Sequence, residues 1–285
     1  MSDWPPEAIR GVGSVTLLLL LLAWESCAPF FVSFVRARGE RVRHGLRNLA
    51  LGLVNGVLNA MVCVALWWWA ADWAETNRFG LLHWANLPAW AQVAGAFVLM
   101  DLWMYGWHRL NHRVPWLWRF HRVHHSDPRM DVTTASRFHA GEMVISCVLR
   151  APVIVLAGMS LWALAWYEAA MFAVVQLHHA NISLPGWLDR ALRLVIVTPF
   201  VHKVHHSNWQ PETDSNYSSL FSFWDRIFGT FRLRTDARTL QFGLDELSAE
   251  QHQTLAGLLK TPFLREAPRA DDEAAKLSGS RTGAP

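Results

Sequence analysis

Residues 108–126 read HRLNHRVPWLWRFHRVHHS, and the chain must fold around this stretch. It contains an H-x-x-x-H box and an H-x-x-H-H box, and a second H-x-x-H-H box, HKVHHS, begins at residue 202. Residues at positions i, i+3 and i+4 lie on one face of a helix, so each box presents several imidazoles together. The three boxes comprise eight histidines: His108, His112, His121, His124, His125, His202, His205 and His206.

This density of histidines predicts a site for two metal ions. Adjacent residues of a helix point about 100° apart, so one H-x-x-H-H box can supply ligands to two neighbouring ions. Imidazole binds iron, zinc, copper and nickel well. Eight histidines exceed the needs of one ion of ordinary coordination number and suit two. A bound cation would also keep such crowded rings neutral.

The composition predicts a membrane protein. Of the 285 residues, 52% are hydrophobic and only 17% are charged, against about a quarter in a typical soluble chain. The chain has 17 tryptophans, a residue enriched at membrane interfaces. The net charge is only +3, and lysine and arginine flank apolar runs instead of forming a basic face. These features argue against a soluble, disordered or fibrous protein and against a nucleic-acid partner.

Four apolar regions predict an all-α integral membrane fold with about four to five transmembrane or re-entrant helices. Three of them, residues 11–35, 48–71 and 79–107, are each long enough for one membrane span. The fourth, residues 143–177, is broken at Gly158, so we expect a hairpin of two short helices there.

The charges predict the orientation and the domain layout. Five arginines but one acidic residue separate the first two apolar regions, which places this loop and the boxes on the cytoplasmic side of a bacterial inner membrane or an endoplasmic-reticulum-like membrane. We expect membrane helices in 1–107, a histidine-box region with the hairpin in 108–235, and a soluble tail in 236–285. The last ~20 residues have the composition of a disordered segment.

The order of the boxes, together with the stretch Phe223-Trp-Asp-Arg-Ile-Phe-Gly-Thr-Phe231, resembles the fatty acid hydroxylase/sterol desaturase superfamily of membrane di-iron enzymes. The resemblance covers roughly residues 101–231. It implies a small bundle of membrane helices, capped by a cytosolic histidine-rich helical domain that holds two iron ions. It also implies two further metal ligands, His179 in an H-H-A-N context and His139 after the second box, and leaves His178 as either a ligand or a neighbour of one.

The implied function is O₂-dependent, di-iron oxidation of a lipid C–H bond, either hydroxylation or desaturation. The lipid is a fatty acyl, sterol-like or ether lipid that enters from the bilayer. The sequence has no C-x-x-C-H haem motif, ferredoxin-type cysteine cluster or dinucleotide fingerprint, so we expect a separate ferredoxin or cytochrome to supply electrons. The alternatives are a histidine-rich membrane protein that binds or transports zinc or copper without oxygenase activity, and a bis-histidine haem protein.

Residues outside the boxes allow further predictions. Asp101 lies two helical turns before His108 and either orients a box histidine or bonds a neighbouring helix. Asp214 and Asn216 are candidates to support the ligands. The remaining predictions concern residues without a role in chemistry. They assign Cys27, Cys63 and Cys147 to packing without disulfides, Trp67–Trp69 to an interfacial belt, and no site role to His44, His83 and His252.

Overall fold

A computed structural model describes residues 6–265 of the chain, with side chains from residue 11 onward. The described part contains helices and isolated bridges but no β-strand, so the all-α prediction is confirmed. The predicted disordered tail, residues 266–285, lies outside the described residues. The helices are α1 (Pro6–Cys27), α2 (Val32–Arg36), α3 (Arg38–Leu58), α4 (Val64–Thr76), α5 (Leu81–Trp84), α6 (Ala89–Arg113), α7 (Pro115–His125), α8 (Ala140–Ala157), α9 (Leu161–His179), α10 (Gly186–Leu192), α11 (Pro199–His205), α12 (Gln210–Thr213), α13 (Phe223–Ile227) and α14 (Leu255–Lys260).

Two helical stretches of the described chain are long and apolar enough to cross a membrane. They are Arg38–Trp84, in which a π-helical segment joins α3 to α4, and Ala140–Ala157. Only 17% of the most apolar window of the first stretch is buried inside the protein, so its apolar side chains face outward. A helix that exposes Leu53 and Met61 in this way matches a lipid environment and not a soluble core. We therefore treat the chain as a membrane protein.

The predicted hairpin is formed by α8 and α9. Gly158 ends α8 with a φ of +70°, a left-handed conformation that glycine adopts without strain. A β-carbon at this position would lie 2.7 Å from the carbonyl oxygen of Phe79, so space also requires glycine. Ser160 then caps α9 by accepting a hydrogen bond from the backbone N–H of Ala163.

The charged residues inside the apolar regions have partners. Glu25 accepts hydrogen bonds from the Arg41 side chain and from the backbone N–H groups of Val132 and Asn181. In the hairpin, Arg150 of α8 donates to Glu168 of α9 over 2.6 Å. Pairing of this kind is what lets a charge remain in a poorly solvated environment.

The cysteine prediction was wrong in two respects. Cys63 and Cys147 form a disulfide between the end of the π-helical segment and α8, with their Cα atoms 5.6 Å apart. Cys27 is free and exposed. No sequence motif marks the pairing, because the two residues are 84 positions apart and only helix packing brings them together.

Candidate metal centre

Four helices bring the histidines to one place. Box one lies at the C-terminal end of α6, and Pro115 starts α7 immediately afterwards, so box two folds back beside box one. Box three lies on α11 and runs one residue beyond its end, and α9 ends at His179. The rings form two buried clusters. Within each cluster, the candidate ligand atoms all lie within 4.8 Å of one another. Cluster A is His108, His112, His121, His125 and His205, and cluster B is His124, His179, His202 and His206.

The spacing of the ring nitrogens fits ligands of a shared ion. In cluster A, Nε2 of His108 lies 3.1 Å from Nε2 of His121 and 3.0 Å from Nε2 of His205. In cluster B, Nε2 of His179 lies between 3.1 and 3.2 Å from Nε2 of all three other histidines. Two nitrogens at about 2.1 Å from one ion and at right angles to each other are about 3.0 Å apart.

Hydrogen bonding alone does not account for this convergence. A neutral imidazole carries one N–H, and in His179 it lies on Nδ1 and donates to the carbonyl oxygen of Val175, so Nε2 has no proton to donate to its three neighbours. In cluster A, neither ring nitrogen of His125 has a hydrogen-bond partner among the described residues. A metal ion in each cluster would accept these lone pairs, so the residues present fit the implied ions.

Neighbouring histidines of one box serve different clusters. His124 belongs to cluster B and His125 to cluster A, while His205 belongs to cluster A and His206 to cluster B. This division follows from the rotation of about 100° per residue in a helix. It is the arrangement that the H-x-x-H-H spacing predicts.

Carbonyl and carboxylate groups orient the rings of cluster A. The Nδ1–H groups of His108 and His205 donate to the carbonyl oxygens of Tyr217 and Ser215 over 2.7 and 2.6 Å. The Nδ1–H of His121 donates to Glu142 over 2.9 Å. Each bond places the proton on Nδ1 and leaves the Nε2 lone pair for a metal.

The electrostatic environment keeps the rings neutral. Burial and the neighbouring histidines lower the pKa values of His124, His125, His202 and His206 well below the usual range. Burial likewise lowers the pKa of His205 to about 3. A lowered pKa means that the neutral form prevails at pH 7, so protons do not compete with a metal for the lone pairs.

Nine of the ten predicted ligands lie in the two clusters, and His139 does not. His139 caps α8, because its Nδ1 accepts a hydrogen bond from the N–H of Gly141 and its Nε2 faces the carbonyl oxygen of Leu259. We therefore correct the prediction that it is a ligand. His178 is outside both clusters too, with its ring centroid 3.8 Å from that of His202.

The supporting residues differ in how they match their predictions. Asp214 Oδ1 lies 3.4 Å from Nδ1 of His112, the position expected of a supporting group. The Asn216 side chain hydrogen-bonds Val201 and Arg232, and none of the described histidine rings. Its φ is +52°, and the carbonyl groups of its two chain neighbours accept hydrogen bonds from cluster A.

Asp101 is a structural anchor. It accepts hydrogen bonds from the Tyr167 hydroxyl, the Trp224 indole and the backbone N–H groups of Leu220 and Phe221. None of its hydrogen-bond partners is a box histidine. Of the two roles predicted for it, only the bond to a neighbouring helix is realised.

Two supporting groups were not predicted. One is Glu142, whose only sequence signal is an acidic residue at the start of an apolar helix. The other is a buried network in which His44 Nε2 lies 2.7 Å from Asp127, directly after box two. Burial alone would raise the pKa of Asp127. The neighbouring His44 and Arg137 lower it by more than burial raises it, so the pKa lies well below its usual range. The network fixes the loop after box two against α3.

A cavity of about 450 Å³ lies between the clusters and the membrane helices. Five of the clustered histidines line one end of it, and the rest of the wall is mostly apolar. Trp67 lines the cavity as well, so the prediction of an interfacial belt fails for this residue, whereas Trp68 and Trp69 are exposed. The volume lies within the range of small-molecule sites, about 300–1,000 Å³.

Comparison with known proteins agrees with this geometry. Residues 93–230 match the fatty acid hydroxylase family. The ornithine lipid hydroxylase of Rhizobium tropici is 33% identical over 50% of this chain and 43% of its own length. Human alkylglycerol monooxygenase is 28% identical over 57% of this chain and 35% of its own, and human cholesterol 25-hydroxylase is 28% identical over 53% and 60%.

The chain thus spans less than two thirds of the length of these relatives, and no solved structure matches it. The matched residues contain all three boxes and His179, which are the parts of the chain that build both clusters. The family match and these relatives support the resemblance of this chain to the fatty acid hydroxylase/sterol desaturase superfamily.

Proposed function

We propose that this chain is a membrane oxidoreductase that hydroxylates or desaturates a lipid with O₂, using two iron ions held by clusters A and B. The observation that carries the proposal is the position of both clusters at one end of a largely apolar cavity between membrane helices. A lipid chain in this cavity would place a C–H bond beside the clusters. The names of the relatives, two hydroxylases and a monooxygenase of lipids, support the same class of reaction.

The ligand sets suit iron. All nine cluster ligands are imidazoles, which bind iron readily. Iron ions bound there would supply the reduction of O₂ and the attack on an unactivated C–H bond. The neutral rings, oriented through Nδ1, hold the ligand lone pairs in place, and the burial of both clusters keeps bulk water from the reacting carbon.

The apolar cavity wall would bind and align the substrate. Met171, Phe172 and Val175 of α9 form a continuous apolar face that leads to His179. A hydrocarbon chain packed along this face gains the hydrophobic contribution of each buried methylene, about 0.8 kcal/mol. Alignment of the chain against a fixed face restricts which carbon meets the clusters.

Electrons would come from a separate protein, and the site would face the cytoplasm. The sequence has no C-x-x-C-H haem motif, ferredoxin-type cysteine cluster or dinucleotide fingerprint, which supports a ferredoxin or cytochrome as donor. The arginines of residues 36–47 support a cytoplasmic position for the nearby clusters through the positive-inside rule. Hydroxylation then consumes O₂, two electrons and two protons and releases water.

Purified protein loaded with iron under anaerobic conditions tests the proposal. We expect about two iron ions per chain and, after addition of a chemical reductant, ¹⁸O₂ and membrane lipids, a lipid product detected by mass spectrometry. Label in the product identifies hydroxylation, whereas loss of two hydrogens without label identifies desaturation. Absence of iron binding, or metal-dependent ion flux into vesicles without lipid oxidation, would contradict the proposal.

A further inference from the structure

The cavity has a polar end opposite the histidine clusters. On α8 the lining residues run from Glu142 to Arg150, and on α9 they run from Glu168 to His179. In both helices they recur at the spacing of a single helix face. Arg150 is the last lining residue of α8, and Glu168 is the first of α9, so this ion pair lies at the limit of the cavity on the hairpin.

Contacts hold the pair rigidly in the wall. Arg150 Nη1 donates to Glu168 Oε1 over 2.6 Å, and its guanidinium lies 5.1 Å from the centroid of the Trp67 ring. Trp67 is itself fixed, because its indole N–H donates to the carbonyl oxygen of Cys147 over 2.8 Å. A cation stacked on an aromatic ring and paired with a carboxylate has little freedom to turn away.

One donor of the pair is unused. Arg150 is only 6% exposed, yet its Nε–H has no hydrogen-bond acceptor among the described residues. Buried hydrogen-bond donors nearly always have an acceptor. Because Arg150 lines the cavity and its Nε–H has none, we expect a bound ligand to supply the acceptor. The Glu168 carboxylate cancels the charge of Arg150, which favours a neutral oxygen acceptor over an anion.

We propose that Arg150 and Glu168 form the polar recognition end of the substrate site and select lipids that carry a neutral oxygen acceptor. This inference rests on the proposed function. Such an acceptor is the carbonyl of an acyl amide or ester, or the hydroxyl of a sterol. A pure hydrocarbon leaves the Arg150 N–H unsatisfied and is therefore a poor ligand.

The separation of the two ends sets the distance to the reacting carbon. Glu142, which bonds His121, precedes Arg150 by eight residues, or about 12 Å of helix. Glu168 precedes His179 by eleven residues, or about 16 Å. An extended acyl chain is a zigzag, so C–C bonds of about 1.5 Å advance it by only about 1.25 Å per carbon, and roughly ten to thirteen carbons cover this distance. The pair therefore directs oxidation to a carbon about that far from the polar group.

Binding of defined lipids to the iron-loaded protein tests the pair directly. The probes are stearamide, cholesterol and octadecane, added to wild type, to R150L/E168L and to R150K, with thermal stability and product position as readouts. Replacement of a buried ion pair by apolar residues is compatible with folding, which iron content verifies. R150K keeps the charge but lacks the Nε–H, so it tests that donor in a milder variant.

We expect stearamide to raise the thermal stability of wild type more than octadecane does. We also expect R150L/E168L to bind stearamide at least tenfold more weakly than wild type does. Wild type should oxidise stearamide within a narrow range of carbons, and the double variant over a wider range. The control R234L/E212L removes a comparable ion pair of 2.8 Å that does not line this cavity, and should behave as wild type.

A larger pair-dependent effect with cholesterol than with stearamide would identify the acceptor as a sterol hydroxyl and support the inference. Equal stabilisation of wild type and R150L/E168L by each lipid would overturn it. If wild type oxidises no lipid, the proposed function fails, and the stability comparison still decides the role of the pair.

Discussion

The two clusters consist of similar histidine rings, but the surrounding residues support these rings differently. In cluster A, three rings donate through Nδ1 to carbonyl or carboxylate groups from α8 and from residues 215–217. In cluster B, only His179 has such a bond, to the carbonyl oxygen of Val175 over 2.8 Å, while Nδ1 of His124 and of His202 has no hydrogen-bond partner among the described residues. Three of the four cluster B rings line the cavity, against two of five in cluster A.

This difference indicates that the two clusters have different roles within one site. Fixed outer contacts make a tight, pre-organised metal site, whereas ligands without them adjust more easily to changes at the metal. If both clusters hold iron as proposed, cluster A would hold its ion more tightly, and cluster B would lie nearer to the substrate.

Loss of a single ligand should give the largest effect. His205 and His206 are neighbours in the chain but belong to different clusters, so H205A and H206A each remove a ligand from only one. We expect each variant to bind about one iron ion instead of about two, and to lose more than 100-fold in turnover, beyond the 10–100-fold typical of outer contacts. Iron analysis with Mössbauer spectroscopy would assign the ion that remains. Two full irons with normal turnover in either variant would refute the assignment.

Removal of the Glu142 carboxylate should have the next largest effect. Leucine at this position leaves the Nδ1–H of His121 without its acceptor, so we expect iron affinity of cluster A to fall by about 10–100-fold. Competition with a chelator measures this affinity, and E142Q, which keeps an acceptor oxygen, should be less impaired. Cluster B should retain its iron in both variants. Simultaneous loss of both irons would show that the clusters do not bind independently.

Sequence reasoning succeeded where the determinants are local. The spacing of His121, His124 and His125 fixes which rings share a helix face, because helix periodicity acts within one turn. The break at Gly158 could be predicted because glycine is itself a local signal for the end of a helix. These features predicted the hairpin and the eight box histidines, and the family resemblance added His179; all nine rings lie in the two clusters.

It failed where packing joins distant segments. Tyr167 bonds Asp101 across 66 residues, and Cys63 pairs with Cys147 across 84. Likewise, the composition of residues 48–71 gave no indication that Trp67 faces a cavity while Trp68 and Trp69 face outward. The side of a uniformly apolar helix that faces inward is set by its neighbours, and no hydrophobic pattern in the sequence marks it.

Substitution of Asp101 should affect stability more than metal binding. Asparagine keeps the shape of the side chain but removes the charge that accepts four hydrogen bonds, so we expect a loss of about 2–3 kcal/mol. This loss corresponds to a melting temperature lower by roughly 5–10 °C in detergent. Iron per folded chain should stay the same. A selective loss of the cluster A ion at unchanged stability would instead make Asp101 a support of the ligands.

Substitution of His139 should have the smallest effect. This test distinguishes the nine clustered rings from a histidine that only lies nearby. In H139Q the α8 cap is weakened, at a cost of about 0.5–2 kcal/mol, while both clusters keep all their ligands. Iron content should equal that of wild type, and turnover should change by no more than about twofold. The matched comparison is H124A. The His124 ring belongs to cluster B, and its centroid lies 4.3 Å from that of Phe138, the residue before His139. If H139Q lost iron as H124A is expected to, the ring of His139 would have to leave its cap to reach a metal, and the two-cluster assignment would need a tenth ligand.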